Sequence, residues 1–190
     1  MESIENILKS LKVVTEMLED RNYDLCKLQQ YSEIEISSIY KSNAIFELEV
    51  NDNLRLIYHV NSKFKLTDFK KYMNPSLEDK RKIILVIKDK VTNINQKNIN
   101  EYINSKIEIF SINEVLFNIS KHIYVPKHEI VNNDKKYLIE KYNLKCVTNL
   151  PIILKSDPMA KYLNIQSGDI VKITRHSPCV GEFVMYRYCV

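Results

Sequence analysis

Apolar residues Ile4, Ile7, Leu8, Leu11, Val14 and Leu18 recur at three-to-four spacing, the period of one face of an α-helix. Ser3 stands where an N-cap belongs, and Arg21-Asn22-Tyr23 stands where that helix should stop. Asp24–Gln30 reads as a second, short helix. Ala44–Val50 and Leu54–Val60 are β-rich runs parted by Asn51-Asp52-Asn53, a triplet able to supply positive-φ positions, so they predict a hairpin. Thr67 opens a predicted helix through Tyr72, ended by Asn74-Pro75. Ile83–Ile87 is a continuous apolar run bounded by charge, which suits a strand buried on both faces. Asn95–Asn104 then reads as a helix, Lys106–Phe110 as a strand and Ile112–Phe117 as a short helix. Helices interleaved with strands in this order predict an α/β layer over residues 1–120.

From about Ser120 the punctuation changes. Both glycines and four of the five prolines fall between Val125 and Val190, and these residues fix backbone geometry. Asn132-Asn133-Asp134 offers caps for a helix from Lys135 to Tyr142. Asp157-Pro158 reads as a helix start: the carboxylate can accept a first-turn N–H, and proline's missing donor costs nothing there. Asn164 can take the left-handed turn that ends this helix. Gly168-Asp169 marks the entry to a strand, Ile170–Arg175, and His176–Gly181 connects it to a last strand, Glu182–Cys189, with antiparallel pairing expected. Residues 121–190 thus form a second, small α+β domain.

Composition narrows the function. The chain of 190 residues is 45% hydrophobic and 27% charged, ordinary values for a soluble globular protein. No stretch approaches the roughly 18 apolar residues of a membrane span, and Met1–Leu11 lacks the layout of a secretory signal. Cys26, Cys146, Cys179 and Cys189 have no histidine or cysteine at ligand spacing, and His59, His122, His128 and His176 are scattered, so neither a metal site nor a cofactor is expected. Net charge is +4, unevenly spread: residues 1–120 carry 17 Lys/Arg against 18 Asp/Glu, and residues 121–190 carry 11 against 6. A solvated face, an acidic partner or nucleic acid accounts for that bias equally well.

The C-terminal words carry more. They read V-P-x-H (Val125, Pro126, His128), a tyrosine ending the first helix (Tyr142), L-P-x-I (Leu150, Pro151, Ile153), D-P-x-A-x-Y-x-x-I (Asp157, Pro158, Ala160, Tyr162, Ile165), G-D-x-V-K-I-x-R (Gly168, Asp169, Val171, Lys172, Ile173, Arg175), Ser177, Gly181, and Y-R-x-x-V (Tyr186, Arg187, Val190). In order, spacing and chain end they resemble the assembly domain of the small RNA polymerase subunit called H in archaea, the fifth, shared subunit of the nuclear polymerases in eukaryotes. Residues 1–120 resemble the eukaryotic jaw domain more faintly, through Asp20–Tyr23, Ile83–Ile87 and Phe117-Asn118-Ile119. The loop that usually reads R-P-S-E-T-A-G is Arg175–Gly181 here and has lost its acid, threonine and alanine. The D-P word has Lys161 and Asn164 for arginine and glycine, and the jaw's T-P pair is Thr92-Asn93. Such drift resembles a divergent copy, of the kind a large DNA virus with its own polymerase carries.

The resemblance implies a non-catalytic subunit of a multisubunit DNA-directed RNA polymerase. Its C-terminal domain would dock on the largest subunit, among other polymerase subunits. Its jaw, of a restriction-nuclease-like layer, would lie beside downstream duplex DNA. It implies an intracellular location, the nucleus for a cellular protein and the virion and host cytoplasm for a viral one. The interface candidates are His128, Asp157, Pro158, Tyr162, Gly168, Arg175, Gly181, Tyr186 and Arg187; Lys90, Thr92 and Lys97 are candidates for phosphate contact. Tyr186-Arg187 reads either as a strand residue beside a surface charge, or as a docking element whose arginine fork holds a carboxylate or a backbone carbonyl. Two rival readings stand beside this one. The first is a metal-dependent nuclease using Glu47, Glu49 and Lys88 on or near predicted strands, although no E-x-K follows either glutamate. The second is a stand-alone nucleic-acid-binding module on the basic C-terminal part.

Overall fold

The computed structural model describes residues 3–42, 45–60, 81–88, 107–177 and 181–190. The chain divides into two compact units, Met1–Phe117 and Asn118–Val190. The first is an α/β layer and the second a small α+β half-barrel. The predicted helices Thr67–Tyr72 and Asn95–Asn104 lie outside the described residues.

In the first unit, α1 spans Ile4–Asp20 and buries Ile7, Val13, Val14, Met17 and Leu18. The Ser3 hydroxyl accepts the Asn6 N–H at 3.2 Å, as an N-cap should. Asn22 closes the helix at φ 59°, and the Tyr23 N–H returns to the Leu18 carbonyl at 2.9 Å, a Schellman closure. The expected helix over Asp24–Gln30 shrinks to a single 3₁₀ turn, Leu28–Gln30. The Asp24 carboxylate accepts the Cys26 N–H at 3.1 Å, and such a local bond competes with the helical ladder. A helix absent from the sequence reading, α2 (Glu33–Ser42), follows. Ser32 and Glu35 form its capping box, with Ser32 N–H to Glu35 Oε2 at 2.8 Å and Glu35 N–H to Ser32 Oγ at 3.2 Å.

Strands β1 (Ile45–Asn51) and β2 (Leu54–His59) pair antiparallel, which confirms the hairpin. Its turn works differently from the expectation. None of Asn51, Asp52 and Asn53 has positive φ; instead Asn51 Oδ1 accepts the Asn53 N–H at 2.9 Å, an Asx turn. Strand β3 (Lys82–Ile87) lies between β2 and β4 (Ile107–Ser111), parallel to both. Ile83 to Ile87 are all at most 3% exposed, so the continuous apolar run is indeed a strand covered on both faces. The register sets Tyr58 beside Val86 and Phe46 beside Tyr58. The Tyr58 hydroxyl takes a hydrogen bond from the Ser10 hydroxyl of α1 at 3.1 Å, which places α1 on that face. Burial drives the Tyr58 phenol far above its ordinary value, so it stays neutral.

In the second unit the strand order is β5-β7-β8-β6, with β5 Lys127–Ile130, β6 Ile152–Ile153, β7 Ile170–Ser177 and β8 Gly181–Cys189. β7 pairs antiparallel with both β5 and β8, as expected for the last two strands. Both strands run further than the sequence suggested, to Ser177 and from Gly181; Pro178, Cys179 and Val180 lie outside the described residues. One face packs Ile153, Val171, Ile173 and Cys189 against Ala160 of α4 (Pro158–Tyr162). The other packs Ile170, Tyr186 and Tyr188 against Leu138 of α3 (Lys135–Lys141). Asn132 was expected as a cap for α3. It bonds elsewhere: its Nδ2 donates to Asp169 at 2.7 Å and its Oδ1 accepts the Ile170 N–H at 2.9 Å, pinning β7.

Asp157 Oδ1 accepts the Met159 N–H at 2.9 Å with proline at the helix start, and Asn164 ends α4 at φ 52°. Gly168 sits at φ +96°, and a Cβ added there would meet nothing within 4 Å. Its requirement for glycine is therefore backbone conformation, not space. Gly168→Ala and Gly168→Val should both lower the melting temperature, by a loss of about 1–3 kcal/mol. An unchanged thermal midpoint for Gly168→Val would refute this.

Candidate functional site

Period-two alternation sorts the residues of β5, β7 and β8 onto two faces. The register pairs His128 with Ile173, Ile173 with Met185, Val171 with Arg187 and Arg175 with Phe183. All of these share the face that α4 covers only in part. Beyond α4 that face opens as a cleft of about 310 Å³. Its floor is apolar, with Ile153, Ile173, Met159 and Met185, and its polar groups are His128, Asp157, Arg175 and Arg187. Pro126 and Pro158 also line it. Five residues from distant sequence words, His128, Asp157, Pro158, Arg175 and Arg187, are thus brought to one place.

Each is held by a local cause. The carbonyl of Pro126 lies 2.7 Å from His128 Nδ1, which fixes the ring. Burial, helped by Arg187 and Arg175, pushes the His128 imidazole below its ordinary value, against the pull of the Pro126 carbonyl and Asp157. The neutral ring donates Nδ1–H to Pro126 and leaves Nε2 as an acceptor. Because the folded state holds this proton less tightly than the unfolded chain, stability is full above the unfolded value and falls as pH drops through about 6.5 and below. Melting curves between about pH 7.5 and 5 should show that fall, and His128→Gln should flatten it. An equal slope in the variant would exclude His128 as its source. Arg187 is half-buried: its Nη1 donates to the Ile152 carbonyl at 3.1 Å, while its Nε is enclosed without a partner. Asp157 is occupied by capping α4. Arg175 is exposed and makes no ion pair among the described residues.

Four expected residues are not brought to the cleft. Tyr162 is 5% exposed, a core residue that seats α4 rather than a surface group. Tyr186 points to the opposite face, where it packs on the α3 core and lies edge-on to Tyr142 with ring centroids 6.1 Å apart. Gly168 shapes the turn into β7 at positive φ, and Gly181, also at positive φ, opens β8. Conversely, the sequence reading missed Ile123 and Tyr124, which are 88% and 85% exposed, with Tyr124 on the cleft wall. An adjacent apolar pair immediately before the V-P-x-H word was the available signal. Lys90, Thr92 and Lys97 lie outside the described residues.

The two glutamates of the nuclease reading are engaged in ion pairs. Glu47 Oε1 accepts from Arg55 at 2.9 Å, and Glu49 pairs with Lys27 at 3.3 Å and Arg81 at 3.4 Å. The two carboxylates are neutralised by cations on the sheet surface, so they serve as that face's charge pairing. Among the described residues no group of three or more histidine, cysteine or acidic side chains is placed to hold a metal ion. No helix among them is long and apolar enough to cross a membrane.

Residues 117–189 match the family described as RNA polymerase Rpb5, C-terminal domain. Over 200 residues the chain is 30% identical to the Dictyostelium discoideum protein named DNA-directed RNA polymerases I, II, and III subunit rpabc1, covering 100% of both. It is 46% identical over 79 residues to DNA-directed RNA polymerase subunit Rpo5 of Nitrosopumilus maritimus, which is 41% of this chain and 92% of that protein. It is 27% identical over 192 residues to DNA-directed RNA polymerases IV and V subunit 5B of Arabidopsis thaliana, covering 94% and 87%.

Proposed function

The chain belongs to the Rpb5 family of RNA polymerase subunits, and on that premise we propose that its C-terminal unit docks it onto the largest subunit of a multisubunit DNA-directed RNA polymerase. Members of this family are non-catalytic components, so nucleotidyl transfer belongs to other subunits. The observation that supports docking is the cleft. It gathers five of the family-word residues, His128, Asp157, Pro158, Arg175 and Arg187, onto one partly apolar surface. The N-terminal unit, in this reading, serves as a jaw beside downstream duplex DNA, with Lys90, Thr92 and Lys97 near the phosphates. Such contacts would be weak and salt-sensitive.

The same reading extends to origin. The altered loop His176–Val180 and the Thr92-Asn93 pair support a divergent copy carried by a large DNA virus. It would then work in the virion and host cytoplasm, and a cellular copy would work in the nucleus. A tagged chain expressed in its native setting should co-purify with the two large polymerase subunits. Recovery of the chain without them, together with tight, salt-sensitive nucleic-acid binding of its own, would instead indicate a stand-alone nucleic-acid-binding module.

A further inference from the structure

We propose that the cleft of the C-terminal unit takes an extended acidic segment of the partner subunit, whose carboxylates flank an apolar side chain and are held by Arg187 and Arg175. This rests on the docking reading and adds the chemistry of the contact.

The first argument is the state of Arg187. Its Nη1 is committed to the Ile152 carbonyl, which holds the guanidinium still, and its Nε is enclosed without an acceptor. A buried, unmatched N–H is costly and calls for a partner. A carboxylate seated on the Nε–H and Nη2–H edge, once the side chains that enclose Nε part for it, would satisfy that N–H with one of two parallel hydrogen bonds.

The second argument is charge. Arg175 lines the same cleft without an ion pair among the described residues. Asp157, the acidic group present, spends an oxygen on the Met159 N–H. The cleft therefore carries two guanidinium groups and one engaged carboxylate, within a region where Lys/Arg outnumber Asp/Glu 11 to 6. An acidic occupant is the electrostatic complement.

The third argument is spacing and floor. In the ladder, the Ile173–Met185 pair lies between the Val171–Arg187 pair and the Arg175–Phe183 pair. The two arginines thus stand four strand positions apart, roughly 13 Å at about 3.3 Å per residue, with apolar side chains between them. An extended peptide has the same repeat, so acidic residues about four positions apart would reach both arginines while a middle side chain meets Ile173 and Met185. Phosphate backbone would satisfy the arginines but leave the apolar floor unmatched, and among the described residues no lysine lines the cleft. The wall residue Tyr124, 85% exposed, offers a ring to cover the seated segment.

The test uses the full chain co-expressed with the largest polymerase subunit. Arg187→Glu and Arg175→Glu should each weaken the complex at least about 30-fold, the scale of a broken buried charge pair. Lys141→Glu, on α3 at the opposite face, should bind as the parent does. Arg175 is exposed, so Arg175→Glu should keep the parental melting temperature. Arg187→Lys, which keeps the charge but loses the fork, should still weaken binding, and these two variants decide the matter should Arg187→Glu fail to fold. Cross-linking from Tyr124 should identify the seated segment, and reversing its acidic residues to arginine should rescue Arg175→Glu. Parental binding by both charge reversals overturns this inference and leaves docking standing. A parent chain that does not bind the largest subunit sinks docking and this inference together. Loss of duplex DNA or single-stranded RNA binding in the reversals, with subunit binding intact, assigns the arginines to phosphate and overturns the inference as well.

Discussion

Arg21→Ala should destabilise the N-terminal unit by about 3–5 kcal/mol, the scale of a buried ion pair broken from one side. Arg21 caps the C-terminus of α1, and its Nη2 lies 2.9 Å from Glu108 Oε2 on β4. Their side chains are only 4% and 20% exposed, so solvent does little to screen them. The register sets Glu108 beside Ile84, on the face that α1 covers through Ser10 and Tyr58. The pair therefore ties the end of the helix to the edge of the sheet. Removing the guanidinium leaves Glu108 charged in a poorly hydrated place, which costs more than the attraction itself was worth. Arg21→Met combined with Glu108→Leu should consequently recover most of the loss, since neither partner is then left alone. A double-mutant cycle followed by denaturant unfolding measures this. An Arg21→Ala cost below about 1 kcal/mol would place the pair among ordinary surface contacts.

Sequence reading reached some of these features and not others, for reasons visible in particular residues. Local rules sufficed where a short-range contact decides the outcome. Ser3, Asn22, Asp157, Asn164 and Gly168 each do what their chemistry suggests. The run at Ile83–Ile87 has few ways to be satisfied other than a central strand. Local rules failed where two short-range bonds compete. Asp24 chose its own turn over a helix, and Asn132 chose Asp169 over a cap. The Ser32–Glu35 box is written in the sequence as S-x-x-E, and its reciprocal bonds start a helix that apolar periodicity alone does not announce. The Arg21–Glu108 pair could not be read at all, because only the sheet order brings residues so distant together. At the candidate site, the family words pointed to the right neighbourhood but not to its geometry. Tyr186 and Arg187 are adjacent in one word, yet strand alternation sends them to opposite faces. Composition was silent on the cleft, which exists because β5, β7 and β8 leave part of one face beyond α4.

Val86→Asp should abolish folding of the N-terminal unit while sparing the C-terminal one. Val86 is fully buried in the central strand, beside Tyr58 in the register and, on its other side, beside Phe110. The Tyr58 ring stacks on Phe46 at 4.8 Å, so the site is closed on the side of β2 as well. The register neighbours Tyr58 and Phe110 offer a carboxylate no counter-charge, and a buried unpaired charge costs more than about 4 kcal/mol, a large share of a typical domain's stability. The second unit has its own cores, around Ile153, Val171 and Ile173 on one face and Leu138 and Ile170 on the other. The archaeal relative matched over 92% of its length by 79 residues of this chain is a protein of about that size, which supports independent folding of such a unit. Circular dichroism of Val86→Asp should therefore show a reduced but cooperative melt, and amide exchange should remain slow in β7 and β8. If docking resides in the C-terminal unit, the variant should still be captured by the largest subunit with an affinity within about threefold of the parent. Loss of capture with β7 and β8 still protected would move the docking surface, or an essential part of it, to the N-terminal unit.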